Sequence, residues 1–568
     1  MRKKSIFKTF VTDFINKNKV IVLLYILVII FTWPMEALLL SSQYSKLVTS
    51  LKNKTSFNNI FKFYDNIKQE NVFGIITLIF IIFISLTVFY TIKYTMEQKL
   101  FPVYMSYVRE QLINGILKSN SSNFKDIKSG EYISIINELT HVFLGMIEKV
   151  SNKFLPLFIG IIGIIIFYSY NNVYLGLSCL LTFIIRLINY YYYGMDYAKS
   201  CAVRDKSYFN LNEHMNDTLN NSMNIHLNNA MNYEKRKNKK IASKYDAEQE
   251  EEMRVRKDIT WKSNILSISI FFITIILSYY LYSKKKISMR ILLTIAFIEI
   301  KLVGTMMDFD STNLSFFQKF GTIIATEKFL REIFNNLDES NKKCKMNSGG
   351  LNIKNVSFRY NNKSPVVFDD LNLNIKSGER VGIIGRSGSG KTTLMKILLG
   401  LHDHTEGTIT IGGCDIRKIK SDKLRNEITY VNQKTQLFND SVVKNIQYGN
   451  KDLSEEKIIS FLKKYNLLPV YSGLKNGINS SAGVNGSLLS LGMQKITIIL
   501  RGIFKESNII IFDEPLSGLD ESTKNKVIKV INDINKTVTV IVVTHDPEIL
   551  SHLDKVYKLD ELHKQPVQ

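Results

Sequence analysis

Gly385-Arg386-Ser387-Gly388-Ser389-Gly390-Lys391-Thr392-Thr393 is the stretch whose reading decides the fold. The apolar run 381–384 (VGII) leads into it as a short buried strand, and 394–401 (LMKILLGL) leaves it as a helix. Glycines let the backbone wrap a phosphate with its N–H groups turned inward, and the following helix N-terminus adds a favourable dipole. Lys391 is placed to neutralise β- and γ-phosphate charge, and Thr392 to ligate Mg²⁺. A glycine-rich turn before a helix is the bland alternative. The strand on one side and the helix on the other argue against it.

Further fragments follow at intervals suited to one site. ITYVNQ places Gln433 just after an apolar strand. IIIFDEP, residues 509–515, is an apolar strand delivering Asp513 and Glu514 at its end. In such a site Asp513 holds Mg²⁺ through water and Glu514 serves as general base on the attacking water. TVIVVTH is another buried strand, ending at His545. A strand ending in Asp or His is common; their order after one phosphate loop is not.

The chain has 568 residues, room for several domains, and a formal charge of +23 with 45% hydrophobic residues. Such charge suits nucleic acid or the basic cytoplasmic segments of a membrane protein. Long apolar runs favour the second, and no nucleic-acid partner is expected. Cys179, Cys201, Cys344 and Cys414 are scattered and suggest neither a metal site nor a disulfide framework. The basic start lacks an apolar core and a cleavage site, so no removed signal peptide is expected.

The N-terminal part carries an amphipathic helix near 5–16, suited to lie along a membrane surface. Apolar stretches follow at 20–41, 72–93, 153–170, 173–193, 263–282 and 289–308, each near the roughly 20 residues that cross a bilayer. Pro34 lies near the end of the first, and Asn171-Asn172 makes a tight turn between the third and fourth. The connections 94–152 and 194–262 are long, polar and helical in pattern. The latter includes the charged run YEKRKNKKIASKYDAEQEEEMRVRK, which alone reads as a solvated helix face. Their basic character places them and both termini in the cytoplasm, although SKKKIS and a Lys-containing loop near 43–70 would then lie outside. Asn53-Lys54-Thr55 is a sequon too short to weigh. Glu36, Arg186, Glu299 and Lys301 fall inside spans, where charge marks a substrate path, an internal ion pair or an interface.

With these motifs in order, the chain resembles a half-transporter of the ATP-binding cassette exporter family along nearly its whole length. The fold implied is a multi-domain membrane protein. A six-helix all-α transmembrane domain (1–320) leads through a linker (321–346) to an α/β P-loop nucleotide-binding domain (347–568). By the resemblance the chain binds ATP and Mg²⁺, the metal held by Thr392, Gln433 and, through water, Asp513. Gly385 to Thr393 cradle the phosphates, Tyr360 stacks on adenine, Gln433 senses Mg²⁺ and the membrane domain, His545 contacts the γ-phosphate, and Asp520 lies at a dimer contact. LNIKNVSFRY reads as an edge strand ending at Tyr360.

One motif departs from the family. Its signature, Leu-Ser-Gly-Gly-Gln, is donated to the ATP held by the opposite subunit; here residues 489–493 read LSLGM. Gly486 and Arg501 flank it at family spacing, and Ser490 and Gly492 remain. Leu491 and Met493 replace residues that permit close approach and polar contact. The partner implied is a second half-transporter chain. In a homodimer both sites carry the altered signature. In a heterodimer only the site on the partner's phosphate loop is weakened. Both readings stay open, with a regulatory subunit or ATP-gated channel as alternatives to a pump. ATP-driven alternating access is the mechanism implied, exporting a substrate across or into the membrane and against membrane lipids. The first span begins too early for a peptidase domain ahead of it. The substrate class stays open.

Overall fold

The computed structural model describes residues 6–52, 72–119, 129–334, 344, 346, 348–360, 364–433 and 435–562. The sequon at 53–55 and, within the linker expected at 321–346, residues 335–343 and 345 lie outside the described residues, whereas 321–334 are largely helical rather than linker. The chain divides into two compact units, Met1–Leu117 with Asp126–Asn335, and Lys118–Lys125 with Asn336–Gln568.

The first unit is helical throughout its described length. Helices α1 (Ile6–Lys17) and α2 (Lys19–Pro34) precede a π-helical turn at Met35–Leu39 and α3 (Leu40–Lys52). Pro34 supplies no N–H to the ladder, and the wide turn begins at the next residue. Then come α4 (Val72–Ser119), α5 (Ser129–Lys149), a second π turn (Val150–Phe154), α6 (Leu155–Asn171), α7 (Val173–Asn220), α8 (Met231–Ser283), α9 (Met289–Ala325) and α10 (Glu327–Phe334). Asn172 alone separates α6 from α7. It is extended, and its side chain accepts the Tyr174 N–H at 3.0 Å.

Four of these helical runs are long and apolar enough to cross a membrane: Val72–Ser119, Ser129–Asn171, Val173–Asn220 and Met231–Ser283. A fifth counts if Phe10–Lys17 and Lys19–Thr32, bent by 101°, form one broken span. The stretch expected at 289–308 lies in α9, where Arg290, Glu299, Lys301 and Asp308 interrupt the apolar run. The described residues therefore hold four such helices, or five with the bent pair, and the expected count of six is approximate. The intramembrane charges are bonded. Lys301 pairs with Glu36, whose carboxylate also accepts from Tyr90 Oη at 3.3 Å. Arg186 donates to Tyr190 at 3.0 Å, to Ser267 at 2.6 Å and to Asp310 at 3.5 Å. Tyr168 donates to Glu299 at 2.8 Å. Each acid–base contact joins helices far apart in sequence, which is why spacing could not pair them.

The second unit holds two sheets. An antiparallel sheet runs β2 (Phe368–Ile375), β1 (Leu351–Phe358), β4 (Glu406–Ile411), β5 (Cys414–Asp415). A parallel sheet runs β6 (Ile428–Val431), β7 (Ile509–Asp513), β8 (Thr539–Val543), β3 (Arg380–Ile384), β9 (Lys555–Lys558). The unbroken apolar runs of β7 and β8 suit strands covered on both faces, and all five β8 residues are buried. The polar alternation in β1 suits a strand with one covered face.

Two expectations are corrected. First, β1 ends at Phe358 and pairs with both β2 and β4, so it is central rather than an edge strand. Its second partner arrives about 50 residues later, beyond the reach of local pattern. Second, Cys344 and Cys414 form a disulfide across 70 residues, with Cα atoms 6.0 Å apart. The Cys344 N–H donates to Lys418 O at 3.3 Å, which lays residue 344 beside the β5 strand end.

Candidate functional site

The parallel sheet assembles the site. Strands β6, β7, β8 and β3 are neighbours in that order and point the same way, so the residues after each emerge side by side at one edge. Ligands of such sheets bind outside the carboxyl ends of the strands. That edge carries Gln433 after β6, Asp513 and Glu514 at β7, Thr544 and His545 after β8, and the phosphate loop after β3.

Within the loop, Gly388 and Gly390 have φ of +85° and +92°, the left-handed region that side chains disfavour. Helix α11 (Lys391–Leu398) starts directly on Gly390. Lys391 Nζ donates to the loop's own carbonyls, Gly385 O and, at 3.0 Å, Arg386 O. Ser389 Oγ is buried and has no hydrogen-bond partner among the described residues. An orphaned hydroxyl in a left-handed glycine turn, with an ammonium parked on loop carbonyls, fits a phosphate ligand. Thr392 is exposed at the start of the helix and Thr393 is buried. Arg386 N–H donates to Asp560 Oδ2 at 3.0 Å, so the end of the chain braces the loop.

Asp513 Oδ2 accepts from Tyr430 Oη at 2.6 Å. Burial, and then the bond to Asp513, raise the Tyr430 phenol above its ordinary range, so it stays a donor. Glu514 has φ of +49°, left-handed backbone unusual for a non-glycine residue. Its N–H donates to Val543 O at 2.8 Å, and its Oε2 accepts from Thr544 Oγ1 at 3.1 Å. The catalytic candidate is thus held by its neighbour strand through both backbone and side chain. Lys495 is buried; burial lowers its ammonium's pKa, and the charges of Asp513 and Glu514 partly oppose this. Gln433 and His545 are exposed at the sheet edge.

Tyr360 is half-exposed, its hydroxyl 2.8 Å from Thr393 Oγ1 and its ring edge-on to His402 at 5.3 Å. One aromatic face is therefore fixed from behind by the helix that carries the phosphate loop.

Ser490, Gly492 and Asp520 are placed elsewhere, on the helical layer. Ser490 caps α12 (Leu491–Ile503), its Oγ accepting the Met493 N–H at 3.3 Å. Gln494 donates to Gly486 O and Leu489 O at 2.9 and 3.0 Å, fixing the turn ahead of that helix. Leu491 is 74% exposed, whereas Met493 packs on the core. Arg501 binds Asn445 at 2.8 and 2.6 Å and lies over the rings of Phe438 and Tyr448. Asp520 caps α13 (Glu521–Asn532), accepting the Thr523 N–H at 3.0 Å.

Sequence reasoning missed Tyr430, Thr544, Lys495, Gln494 and Asp560. Tyr430 and Thr544 each sit one strand over from the carboxylate they touch, and only the order of strands reveals them.

Residues 368–517 match the family model described as ABC transporter. The chain is 35% identical over 213 residues to an ATP-dependent lipid A-core flippase of Francisella tularensis, covering 37% of this chain and 35% of that protein. It is 34% identical over 214 residues to the alpha-hemolysin translocation ATP-binding protein HlyB of Escherichia coli, covering 38% of this chain and 30% of that one. These matches span about a third of the relatives' length. A bacterial Atm1-family ABC exporter solved with ATP bound superposes with a TM-score of 0.85 at 18% identity, covering 96% of this chain and 94% of that one. The class is thus defined: a helical membrane-type unit followed by an ATP-binding domain in the fold of ABC exporters. Within that fold, this chain has one helical unit and one α/β unit, and residues 368–517 of the latter carry the match to the ABC transporter model.

Proposed function

We propose that this chain is an ATP-hydrolysing subunit of a two-chain exporter, working by alternating access. The observation that supports the reading is the sheet edge at which Glu514, held by Thr544, and the phosphate loop with Lys391 both emerge, on strands separated by β8. Lys391 would leave its loop carbonyls for β- and γ-phosphate oxygens, and Ser389 would gain the partner it lacks. Mg²⁺, held by Thr392, Gln433 and Asp513, would neutralise charge developing on the transferred phosphoryl group. Glu514 would orient and deprotonate the attacking water, with His545 on the γ-phosphate. Ser490 and Gly492 would complete the site of a second chain. ATP must bind the closed pair better than the open one for closure to follow. The long helical connections and the nucleotide unit would lie in the cytoplasm, on the side of their basic residues.

The test is ATPase activity of the tagged chain purified alone in lipid. Lys391→Ala and Glu514→Gln should each abolish turnover; unchanged hydrolysis in either removes the site assignment. Robust activity of the chain alone supports a homodimer. The altered signature, with Leu491 exposed at the helix start, favours the second reading, a heterodimer whose partner supplies an intact signature. Activity that appears only on adding a partner chain would support that one.

A further inference from the structure

Glu299 sits on α9 at 2% exposure, among α6, α7 and α8, three helices apolar enough to span a membrane. A small cavity of about 40 Å³ opens beside it, walled by Ile164, Phe183, Phe271 and Met306, with room for about two waters. Its polar walls are Thr182, Ser267 and two charged residues, Arg186 and Glu299.

The bonding of these two differs. Arg186 is committed to Asp310, Tyr190 and Ser267. Lys301, on the same helix as Glu299, is committed to Glu36. Glu299 has only the Tyr168 hydroxyl, which donates to Oε1 at 2.8 Å from a fully buried ring. No basic group pairs with it among the described residues. The groups facing it are Tyr168 from α6 and Cys179 and Arg186 from α7; α8 contributes only Ser267 and apolar side chains to the cavity. A carboxylate left charged in such surroundings is costly, and the usual remedies are a paired cation or a bound proton. Both nearby cations are spent.

We propose that Glu299 is a proton-binding site inside the helical unit, loaded and unloaded through the cavity. Loading moves one proton from a hydronium in the cavity to Oε2, giving a neutral carboxylic acid and water. Oε1 keeps the Tyr168 bond. Unloading reverses the step when the cavity is hydrated. Asp310, equally buried, and Glu36, whose side chain is 29% exposed, are ion-paired, stay charged and do not exchange in this way.

The full-length chain in lipid vesicles, without nucleotide, is treated with dicyclohexylcarbodiimide, which couples to protonated carboxyls in apolar sites, and the modified peptides are mapped by mass spectrometry. Glu299 is expected to be the labelled carboxyl of the helical unit, with labelling falling about ten-fold as the pH is raised from 6 to 9. Tyr168→Phe, which removes the donor that favours the charged form, should move the fall to higher pH. Labelling of Glu36 or Asp310 in place of Glu299, labelling independent of pH, or protection by added Na⁺ or K⁺ would overturn the assignment. Because the labelling is read on the unaltered chain and needs no ATP, it is independent of whether the exporter reading holds.

Discussion

The Tyr430 hydroxyl donates to Asp513 Oδ2 at 2.6 Å, from a strand that runs parallel to and directly beside the one that ends in Asp513. This bond occupies Oδ2, leaving Oδ1 for the Mg²⁺ that Asp513 is proposed to hold. A hydrogen bond to a charged group contributes roughly 1.5–3 kcal/mol. Tyr430→Phe should therefore raise the Mg²⁺ concentration for half-maximal hydrolysis by about ten-fold or more. Nucleotide binding without metal should be unchanged. Equal loss of both would make Tyr430 a packing residue only.

Glu514 in left-handed backbone implies an exchange of stability for chemistry. Strain of this kind costs on the order of 1–3 kcal/mol. Glu514→Gly should remove turnover, as loss of a general base typically slows a reaction by about 10²–10⁴-fold. Yet it should match or exceed the native thermal stability of the nucleotide unit. A large drop in melting temperature would show that the Thr544 bond outweighs the strain.

The altered signature gives a gain-of-function test. Leu491 is exposed at the first turn of its helix, so replacing it removes little packing. Leu491→Gly with Met493→Gln should accelerate ATP hydrolysis by the chain alone several-fold if two copies form the sites. No acceleration without a partner chain would point to the heterodimer.

His404 is expected to make the nucleotide unit sensitive to acid. It is buried, its Nε2 lies 3.2 Å from Gly407 O, and its Nδ1 has no partner among the described residues. Burial first, and Arg417 next, lower its pKa from the ordinary 6.5. The unfolded chain then binds more protons than the folded one as pH drops below 6.5. Stability present above that value is lost as pH falls toward the folded value. His404→Gln keeps a donor for Gly407 and should flatten the decline in melting temperature between pH 7 and 5.5. An unchanged slope would assign the acid sensitivity to other groups, His402 among them.

Much of the site was legible because its chemistry is written at strand ends. Lys391, Asp513, Glu514 and His545 each follow an apolar run that forms a parallel strand, so local pattern located them. What joins them was not local. Tyr430 reaches Asp513 because β6 lies beside β7, and Thr544 reaches Glu514 because β7 lies beside β8; no spacing encodes that order. The same limit misread β1 as an edge and overlooked the Cys344–Cys414 pair. In the helical unit the apolar stretches were visible, but Glu299 and Lys301 looked alike. Only packing shows that one is paired and the other is not.

Ser490 caps its helix by accepting the Met493 N–H, and this settles what the hydroxyl can say to its surroundings. One lone pair is turned toward the helix, which leaves the proton and a second lone pair to face outward. The serine can therefore still greet an incoming molecule as a donor, at a helix N-terminus whose dipole favours negative charge. The two substitutions beside it change how closely a neighbour can approach. They leave the polarity of the greeting intact, so a chain with this unusual signature still presents an anion-seeking helix tip.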